Sequence, residues 1–296
     1  MLIDKFLQYI KYEKCYSEHT YESYKTDLLQ FKDFVEKKGA KEFDPVKIET
    51  KDVREWIVFL MKQKEKASSV GRKISALKSF YKYLRKSSYV EKDPMRQVVI
   101  PKREKRLPTF VRESEMHELL DELEDAFEDD YEGVRDKLVI ETFYTLGIRL
   151  SELIGMKDVD VDKGNKTVKV TGKGNKQRII PFGDRLLQSM ETYLQLREAT
   201  TGVRNGYFFQ KEDGGAMYPV LVYRIVRKYL EKVSSQKKKS PHVLRHTFAT
   251  AMLNNGAEIN AVKELLGHAN LAATEVYTHT TFEQLQKIYK QAHPRA

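Results

Sequence analysis

The chain has 296 residues, enough for two domains of ordinary size, and 41% hydrophobic with 32% charged residues is typical of a globular protein with buried cores. No apolar run approaches the ~18–20 residues of a membrane-spanning helix, and the first residues lack the apolar core and cleavage site of a signal peptide. The single cysteine, Cys15, excludes an internal disulfide and a zinc site built on several cysteines. We therefore expect a reduced, cytoplasmic protein with no membrane partner.

The positive charge is unevenly distributed along the chain. The formal net charge is +10, from 53 Lys and Arg against 43 Asp and Glu. Residues 1–106 carry 26 basic and 16 acidic side chains, residues 113–141 carry 2 and 13, and residues 142–296 carry 24 and 14. Two basic blocks separated by an acidic segment indicate a polyanionic partner held by two surfaces. A lysine-rich surface that faces only solvent would give the same counts.

The first block is predicted to form four amphipathic helices. Apolar residues recur at spacings of three and four, and Ser17, Thr20 and Thr50 are suitable residues for helix N-termini. The helices are expected to begin near residues 2, 17–20, 50 and 68. The buried stripe of the fourth helix is expected to comprise Val70, Ile74, Leu77, Tyr81 and Leu84.

A basic stripe occupies the opposite side of this fourth helix. Lys78, Lys82 and Arg85 recur at i, i+4 and i+7, so they share one face. Such a stripe can follow a phosphate backbone, although an ordinary solvated helix face has the same pattern.

Residues 93–108 are predicted to link two domains, 1–92 and 109–296. This segment holds three prolines and a cluster of Lys and Arg, and proline interrupts helices and restricts the residue before it. Two short strands rich in Val and Ile are predicted in the second domain at 167–171 and 177–181, joined by a hairpin turn. The helices of this domain are predicted near 113–123, 135–147, 184–199, 218–233, 242–254, 258–266 and 282–291.

Seven side chains of the second domain form a candidate reactive set, although each has an ordinary structural explanation by itself. Arg149 and Glu152 are three residues apart and would share a helix face as an ion pair. His242 and His246 have the spacing of two metal ligands, but their segment lacks the glutamate of H-E-x-x-H. The glycines beside Lys173 resemble a phosphate loop, but the G-x-x-x-x-G-K-[ST] pattern is absent. The seven are Arg149, Glu152, Lys173, His242, Arg245, His268 and Tyr277.

Considered together, these residue types suit chemistry at a phosphodiester. Two arginines can clamp the non-bridging oxygens and stabilise the charge of the transition state. A lysine can deliver a proton, and histidines can donate or accept one near neutral pH. A tyrosine hydroxyl becomes a nucleophile where a base and positive surroundings favour the phenolate. No carboxylate cluster suited to magnesium is evident in the sequence, so arginines would take the role of the metal.

This ordered set resembles the tyrosine recombinase family, also called phage-integrase-type recombinases. The segments that carry the resemblance are GIRLSEL, GKGNKQR, PHVLRHTFAT, LLGH and TEVYTH, in that order. The pattern SxxTxxxYxxDLxxFxxF from Ser17 to Phe34 looks like the family's core-DNA-binding domain, and the ending HPRA resembles the Xer subgroup, which resolves chromosome dimers. Leu146 departs from the threonine that many relatives have before the glycine.

The resemblance implies specific roles in strand cleavage. Tyr277 attacks the scissile phosphate and forms a 3′-phosphotyrosyl link. Arg149 and Arg245 bind the non-bridging oxygens. Lys173 protonates the departing 5′-oxygen, and His242 serves as the general base.

Further positions receive supporting roles from the same resemblance. His268 hydrogen-bonds the phosphate, and Glu152 orients Arg149 or supports the fold. Because the link conserves the bond energy, neither a nucleotide cofactor nor a metal is implied. The candidate DNA contacts in the N-terminal domain are Arg72, Lys73, Lys78 and Lys82.

The implied fold is mainly α with a small β-sheet: a helical SAM-like core-binding domain and an α+β catalytic domain that clamp a duplex. The implied partners are a double-stranded DNA recombination site, further copies or a paired second recombinase in a tetrameric synapse, and a septal DNA translocase. The helix near 282–291 would dock onto a neighbouring protomer. A mobile-element integrase of the same family, a non-catalytic DNA-binding relative and a metal-dependent hydrolase are the alternatives.

Overall fold

The computed structural model describes residues 2–39, 42–100, 109–172, 175–202, 206–267 and 282–296. The chain forms two compact units, Met1–Arg106 (the N-terminal unit) and Leu107–Ala296 (the C-terminal unit). Both are mainly helical, and the one sheet found among the described residues lies in the C-terminal unit, so the predicted fold class is confirmed. In the part of the chain that is described, no helix combines the length and apolar character that a bilayer crossing requires.

Four α-helices are found among the described residues of the N-terminal unit. They are α1 (Leu2–Gln8), which a π-helical turn continues over Tyr9–Glu13, α2 (Glu18–Gly39), α3 (Thr50–Lys62) and α4 (Ala67–Lys86). The Ser17 hydroxyl accepts a hydrogen bond from the Thr20 amide at 3.4 Å at the start of α2. All five apolar positions predicted for α4 are buried, and they share one core with Phe31 and Trp56. The helical periodicity of this unit is therefore confirmed.

The described residues of the C-terminal unit form eight α-helices and a three-stranded sheet around one core. The helices are α5 (Glu113–His117), extended by a π-helical turn over Glu118–Glu122, α6 (Tyr131–Leu146), α7 (Leu150–Ile154), α8 (Asp184–Thr201), α9 (Pro219–Val233), α10 (Pro241–Asn254), α11 (Ile259–Leu266) and α12 (Phe282–Ala292). The strands are β1 (Val161–Asp162), β2 (Thr167–Thr171) and β3 (Gln177–Pro181).

The sheet is antiparallel in the order β1-β2-β3. Val168 pairs with Ile180 and Val170 pairs with Arg178, and paired residues of an antiparallel ladder point to the same face. The three apolar members of these pairs are buried, so Arg178 occupies a position on the core-facing side of β3.

Helix α6 runs through the centre of the unit, and every residue from Leu138 to Leu146 is buried. A helix that is buried on all sides needs neighbours all round it. Helices α8 and α10 are two of these neighbours.

Helix α12 packs against α10, α11 and β3 of its own unit. It contributes Leu285, Tyr289 and Ala292 to the core. The final residues continue this packing, because His293 and Arg295 are also buried.

Candidate active site

The turn after α6 places Arg149. Helix α6 ends at Leu146. The next residue, Gly147, has a φ of +57°, which reverses the chain, and its amide donates to the Phe143 carbonyl at 3.0 Å. A Cβ at Gly147 would lie 2.4 Å from the ring of Phe248, so only glycine fits here without displacement. Buried Ile148 follows, and Arg149 then stands at the N-terminus of α7.

The relation between Arg149 and Glu152 differs from the prediction of a shared helix face. Arg149 precedes α7 with an extended backbone, and Glu152 is the third residue of that helix. The Glu152 carboxylate accepts from the Arg149 backbone amide at 2.8 Å and from its Nη1 at 2.8 Å. The spacing of three therefore reflects a helix cap. A cap and a pair of residues on one helix face both have this spacing, so the sequence alone does not distinguish them.

Glu152 is a buried carboxylate between two arginines. Its Oε1 and Oε2 also accept from Nη1 and Nη2 of Arg178, both at 2.9 Å. Burial by itself raises the pKa of Glu152, but the hydrogen bonds and charges of Arg178 and Arg149 outweigh burial and hold the pKa at about 2. The carboxylate is therefore ionised at any physiological pH.

Arg245 lies on the buried side of α10. Its Nη1 donates to the Gly147 carbonyl at 2.7 Å, and its Nη2 donates to the Leu266 carbonyl at 2.6 Å. Burial lowers the pKa of Arg245 to about 10, and the positive charge of Arg149 acts in the same direction. The guanidinium stays charged at neutral pH and keeps a fixed orientation.

Three arginines from other elements donate hydrogen bonds to the C-terminal end of α11. We call them the arginine cluster: Arg149, Arg178 and Arg245. Three successive carbonyls accept from them: Leu265 from Arg178 at 2.7 Å, Leu266 from Arg245 at 2.6 Å and Gly267 from Arg149 at 3.0 Å. Carbonyls in the last turn of a helix have no partner within the helix and carry its negative pole. Guanidinium groups donate hydrogen bonds to these carbonyls and bring positive charge to the negative pole.

His242 and His246 lie on one side of α10, next to the arginine cluster in sequence. Their ring centroids are 4.5 Å apart, with the rings nearly perpendicular. Burial, His242 and Arg245 each lower the pKa of His246, so its neutral form is favoured. His242 is exposed. In the described ranges, no group of three or more His, Cys, Asp or Glu side chains is placed to hold a metal.

Lys173, His268 and Tyr277 lie outside the described residues. The residues before two of them are described. Gly172 lies beside the capping pair, since a Cβ there would be 3.4 Å from Glu152 Oε1 and 3.7 Å from Arg149 Nη1. Gly267, which precedes His268, accepts the hydrogen bond from Arg149.

The candidate DNA contacts on α4 are in two different environments. Lys73 is buried, and its ammonium contacts Gln30, Asp27 and Glu65. It would have to leave these partners to reach a phosphate, so a direct contact from Lys73 does not agree with this structure. Arg72 is partly exposed and donates to Asp27.

Lys82 is exposed, and Lys78 is partly buried. They line a groove together with three further cations, Arg85, Lys86 and Arg96. Asp93 is the acidic residue of this lining, 3.7 Å from Arg85.

Arg178 is the site residue that the sequence analysis did not identify. The signal was available in the strand pattern, because residues 178 and 180 of β3 share a face and a charged residue there points toward the core. Only the tertiary placement of α11 shows which groups it binds.

Two family models match the chain. Residues 109–284 match the model described as "Phage integrase family", and residues 3–87 match "Phage integrase, N-terminal SAM-like domain". A protein named "Tyrosine recombinase XerC" from Chlorobaculum tepidum is 38% identical and is matched over 99% of this chain and 94% of its own length. A protein with the same name from Staphylococcus saprophyticus is 41% identical, with 98% and 96% covered.

Solved structures with the same fold include a site-specific recombinase and a transposon integrase. XerH bound to its difH substrate in a pre-cleavage complex has a TM-score of 0.69 and 22% identity, with 90% of this chain and 78% of that chain covered. The Tn1549 transposon integrase in complex with circular intermediate DNA has a TM-score of 0.70 and 20% identity, with 97% and 98% covered. The family models, the full-length relatives and the arginine cluster agree: the chain belongs to the phage integrase family of tyrosine recombinases and is a site-specific DNA recombinase that breaks and rejoins strands by transesterification.

Proposed function

We propose that this recombinase resolves chromosome dimers by strand exchange at dif-like sites. The relatives named XerC match it over almost their whole length, and its ending HPRA has the Xer pattern. Integration of a mobile element is the second candidate, supported by the shared fold of the Tn1549 integrase. The two candidates differ in the DNA site and not in the chemistry.

The observation that carries the proposal is an excess of positive charge fixed in a partly buried place. Three guanidinium groups and one carboxylate, Glu152, leave two unit charges unbalanced within this set. The backbone carbonyls orient the guanidinium groups but do not neutralise their positive charge, because a carbonyl carries no net charge. Such a site is preorganised for an anion whose charge grows in the transition state, as that of a phosphodiester under attack does.

Cleavage in this proposal begins with attack by Tyr277 on the scissile phosphorus. The tyrosine proton passes to His242, the O–P bond forms, and the bond to the 5′-oxygen breaks. Lys173 protonates the departing 5′-oxygen. Arg149 and Arg245 hold the non-bridging oxygens. Arg149 suits this role because its side chain is 36% exposed while Glu152 and Gly267 fix its orientation.

Strand exchange then reverses these steps with a different duplex. The free 5′-hydroxyl of the partner strand attacks the phosphotyrosine, and Tyr277 recovers its proton. One phosphodiester is formed for each one broken, so the proposal needs neither nucleotide hydrolysis nor a metal. His268 hydrogen-bonds the phosphate, and Glu152 acts by orienting Arg149.

The N-terminal unit supplies the second DNA surface in the proposal. The groove lined by Lys78 and Lys82 gathers five cations around one carboxylate, a charge balance that suits a phosphate backbone. Arg72 joins as a partly exposed contact held by Asp27. Lys73 supports Asp27 from its buried position.

We also propose the arrangement in which the enzyme works. A DNA-binding domain (1–92) and a catalytic domain (109–296), joined by a basic segment (93–108) whose Met95 and Val98 pack in the core of the N-terminal unit, close around the duplex in the cytoplasm. Four protomers, of one kind or of two paired recombinases, hold two sites, and a septal DNA translocase controls the reaction during chromosome partition and cell division. Docking of α12 onto a neighbour would require it to leave the core positions of Leu285 and Tyr289.

The experiment that tests the chemistry is trapping on a suicide substrate. A duplex nicked beside the scissile phosphate loses a short fragment after cleavage, so the covalent adduct accumulates. We expect wild type to give a denaturation-resistant adduct and Tyr277→Phe to bind the site without forming one, because its ring lacks the nucleophilic oxygen. Tyr218→Phe, which alters an exposed tyrosine of the same unit, is the matched control and should behave as wild type.

The choice of DNA separates the remaining alternatives. Adducts at a dif-like site and none at mobile-element ends support chromosome-dimer resolution, and the reverse supports integration. Specific binding without any adduct, even with a paired recombinase added, would favour a non-catalytic DNA-binding protein. An adduct formed by Tyr277→Phe would reject Tyr277 as the nucleophile, and loss of activity in EDTA would favour a metal-dependent hydrolase.

A further inference from the structure

We propose that Arg178 is a positioning residue for strand cleavage, holding three segments of the active site in register through one side chain. The inference rests on the proposed function, because it concerns the placement of groups that act on the scissile phosphate. Arg178 itself need not touch that phosphate.

The three segments meet at the Arg178 guanidinium. Its Nη1 and Nη2 each donate to one oxygen of Glu152 at 2.9 Å, which connects β3 to the turn of Arg149. Its Nε donates to the Leu265 carbonyl at 2.7 Å, which connects β3 to the end of α11. The side chain is only 13% exposed, so neighbouring groups enclose these bonds.

Each connected segment carries or adjoins a group with a proposed role. Glu152 Oε1 accepts hydrogen bonds from both Arg178 and Arg149. A shift of the Arg178 guanidinium therefore also moves the carboxylate that holds Arg149. Strands β2 and β3 are paired and flank Lys173 in the sequence. Leu265 lies three residues before His268, and a Cβ at Gly267 would be 3.1 Å from the Arg178 side chain. The enclosure of Arg178 thus extends to the residue that binds Arg149.

The geometry requires a guanidinium. Nε and both Nη atoms donate in one rigid plane, with two bonds to a carboxylate and one to a carbonyl at the side. A lysine ammonium keeps the charge but cannot reach the three acceptors in that arrangement. Arg178→Lys therefore tests positioning while it preserves the charge.

Arg197 supplies a matched control in the same unit. It is also 13% exposed, it binds both oxygens of Asp158 at 2.8 and 3.1 Å, and it donates to the carbonyls of Tyr207 and Phe208. Arg197→Lys removes a bond network of the same kind among residues to which no role in the reaction is assigned. A general loss of stability should affect both variants alike.

The experiment compares single-turnover cleavage by the full-length wild type, Arg178→Lys and Arg197→Lys on three suicide substrates. One has the natural phosphate, the second has sulfur as the 5′-bridging atom, and the third has a neutral methylphosphonate at the scissile position. A sulfur leaving group needs no protonation, so it bypasses the hairpin lysine. A methylphosphonate has lost the charge that the arginines balance.

We expect Arg178→Lys to bind the site as wild type does and to cleave the natural substrate roughly 10²-fold more slowly, the scale of a displacement of about 1 Å. On one or both modified substrates, the cleavage rate of Arg178→Lys should be much closer to that of wild type. Arg197→Lys should cleave all three substrates at wild-type rates. Arg178→Gln, which keeps two amide donors but no charge, serves if the lysine variant does not fold.

Natural-substrate cleavage by Arg178→Lys within threefold of wild type would overturn the proposal. So would an equal loss on all three substrates, because a purely structural defect does not depend on the leaving group or on the charge. Absence of an adduct with wild type would instead overturn the proposed function, and this assignment with it.

Discussion

His293 shows how burial changes the acid–base behaviour of a single side chain. It stacks on Tyr289, its Nε2 bonds the Tyr144 carbonyl at 3.1 Å, and its Nδ1 accepts from the Arg295 amide at 3.0 Å. These two bonds use one ring nitrogen as donor and one as acceptor, which is the neutral tautomer. Burial lowers the pKa of His293 to about 4, although the bond to the Tyr144 carbonyl opposes this.

This pKa predicts a pH-dependent stability. In the unfolded chain His293 takes up a proton near its ordinary pKa of 6.5, whereas in the folded protein it stays neutral down to about 4. The stability that neutral His293 provides is therefore fully present above pH 6.5 and is lost as the pH falls toward 4. The free energy of unfolding decreases by about 3 kcal/mol in total. His293→Phe keeps the ring but does not titrate, so the variant should be less stable at pH 7 and lose less stability on acidification.

Urea unfolding of both proteins between pH 7 and 4.5 measures this effect. Other titrating groups are common to the two chains and cancel in the difference between their free energies of unfolding. Parallel pH curves would show that His293 is not responsible.

The residue scale also shows what the sequence can supply about the site. Arg149, His242 and Arg245 are recognisable because motif spacing identifies them, and the structure places two of them in the arginine cluster. Arg178 and the three carbonyls of α11 are not recognisable in this way. A backbone acceptor has no sequence signature, and the contact between β3 and α11 is set by tertiary packing.

At the scale of elements, two helix ends fix the arginine cluster. Gly147 closes α6 and Gly267 closes α11, both with positive φ, and each carbonyl accepts from an arginine. Glycine is needed at these positions because other residues are strained in the left-handed region. Gly147 has the further constraint of the Phe248 ring.

Gly147→Ala and Gly202→Ala separate these two constraints. Gly202 closes α8 with a φ of +59° but has open space where a Cβ would be, whereas Gly147 has a φ of +57° and the nearby ring. We expect Gly202→Ala to cost about 1 kcal/mol from backbone strain, and Gly147→Ala to cost about 3 kcal/mol or more because overpacking adds to it. Urea unfolding measures both. Equal losses would show that the Phe248 contact is relieved without cost.

The elements themselves were mostly predictable. Both long strands match their predicted bounds, and α9 to α12 begin and end within about two residues of the prediction, because period-2 and period-3.6 patterns extend over each whole element. For α7 the sequence predicts only a helix face shared by Arg149 and Glu152, without bounds, and it does not predict β1, since five and two residues are too few for a pattern to develop. Helix α6 begins at Tyr131, four residues before its predicted start.

At the scale of the whole molecule, charge is divided between a basic groove in one unit and an arginine cluster in the other. Each phosphate neutralised by a cation releases counterions, so log K against log salt falls with a slope of about −0.9 per contact on duplex DNA. The cations of the groove should therefore set part of the salt dependence of binding, and those of the cluster should act mainly on cleavage.

A double substitution tests this division. Lys78→Gln with Lys82→Gln should reduce the magnitude of the salt slope by about 2, because two contacts are lost. Lys51→Gln with Lys62→Gln removes the same charge from exposed positions on α3 outside that groove and should leave the slope unchanged. Binding titrations over a range of salt concentrations measure both. An equal change in the two variants would show that the groove has no special part in binding.

The acceptors at the end of α11 have a consequence for genetic variation. Because Leu265, Leu266 and Gly267 bind the arginines through main-chain oxygens, no replacement of their side chains deletes an acceptor. Selection can preserve these bonds only through the three arginines and through the backbone path of the helix. A mutation that removes one of these bonds therefore has to replace an arginine of the cluster or shift the end of α11.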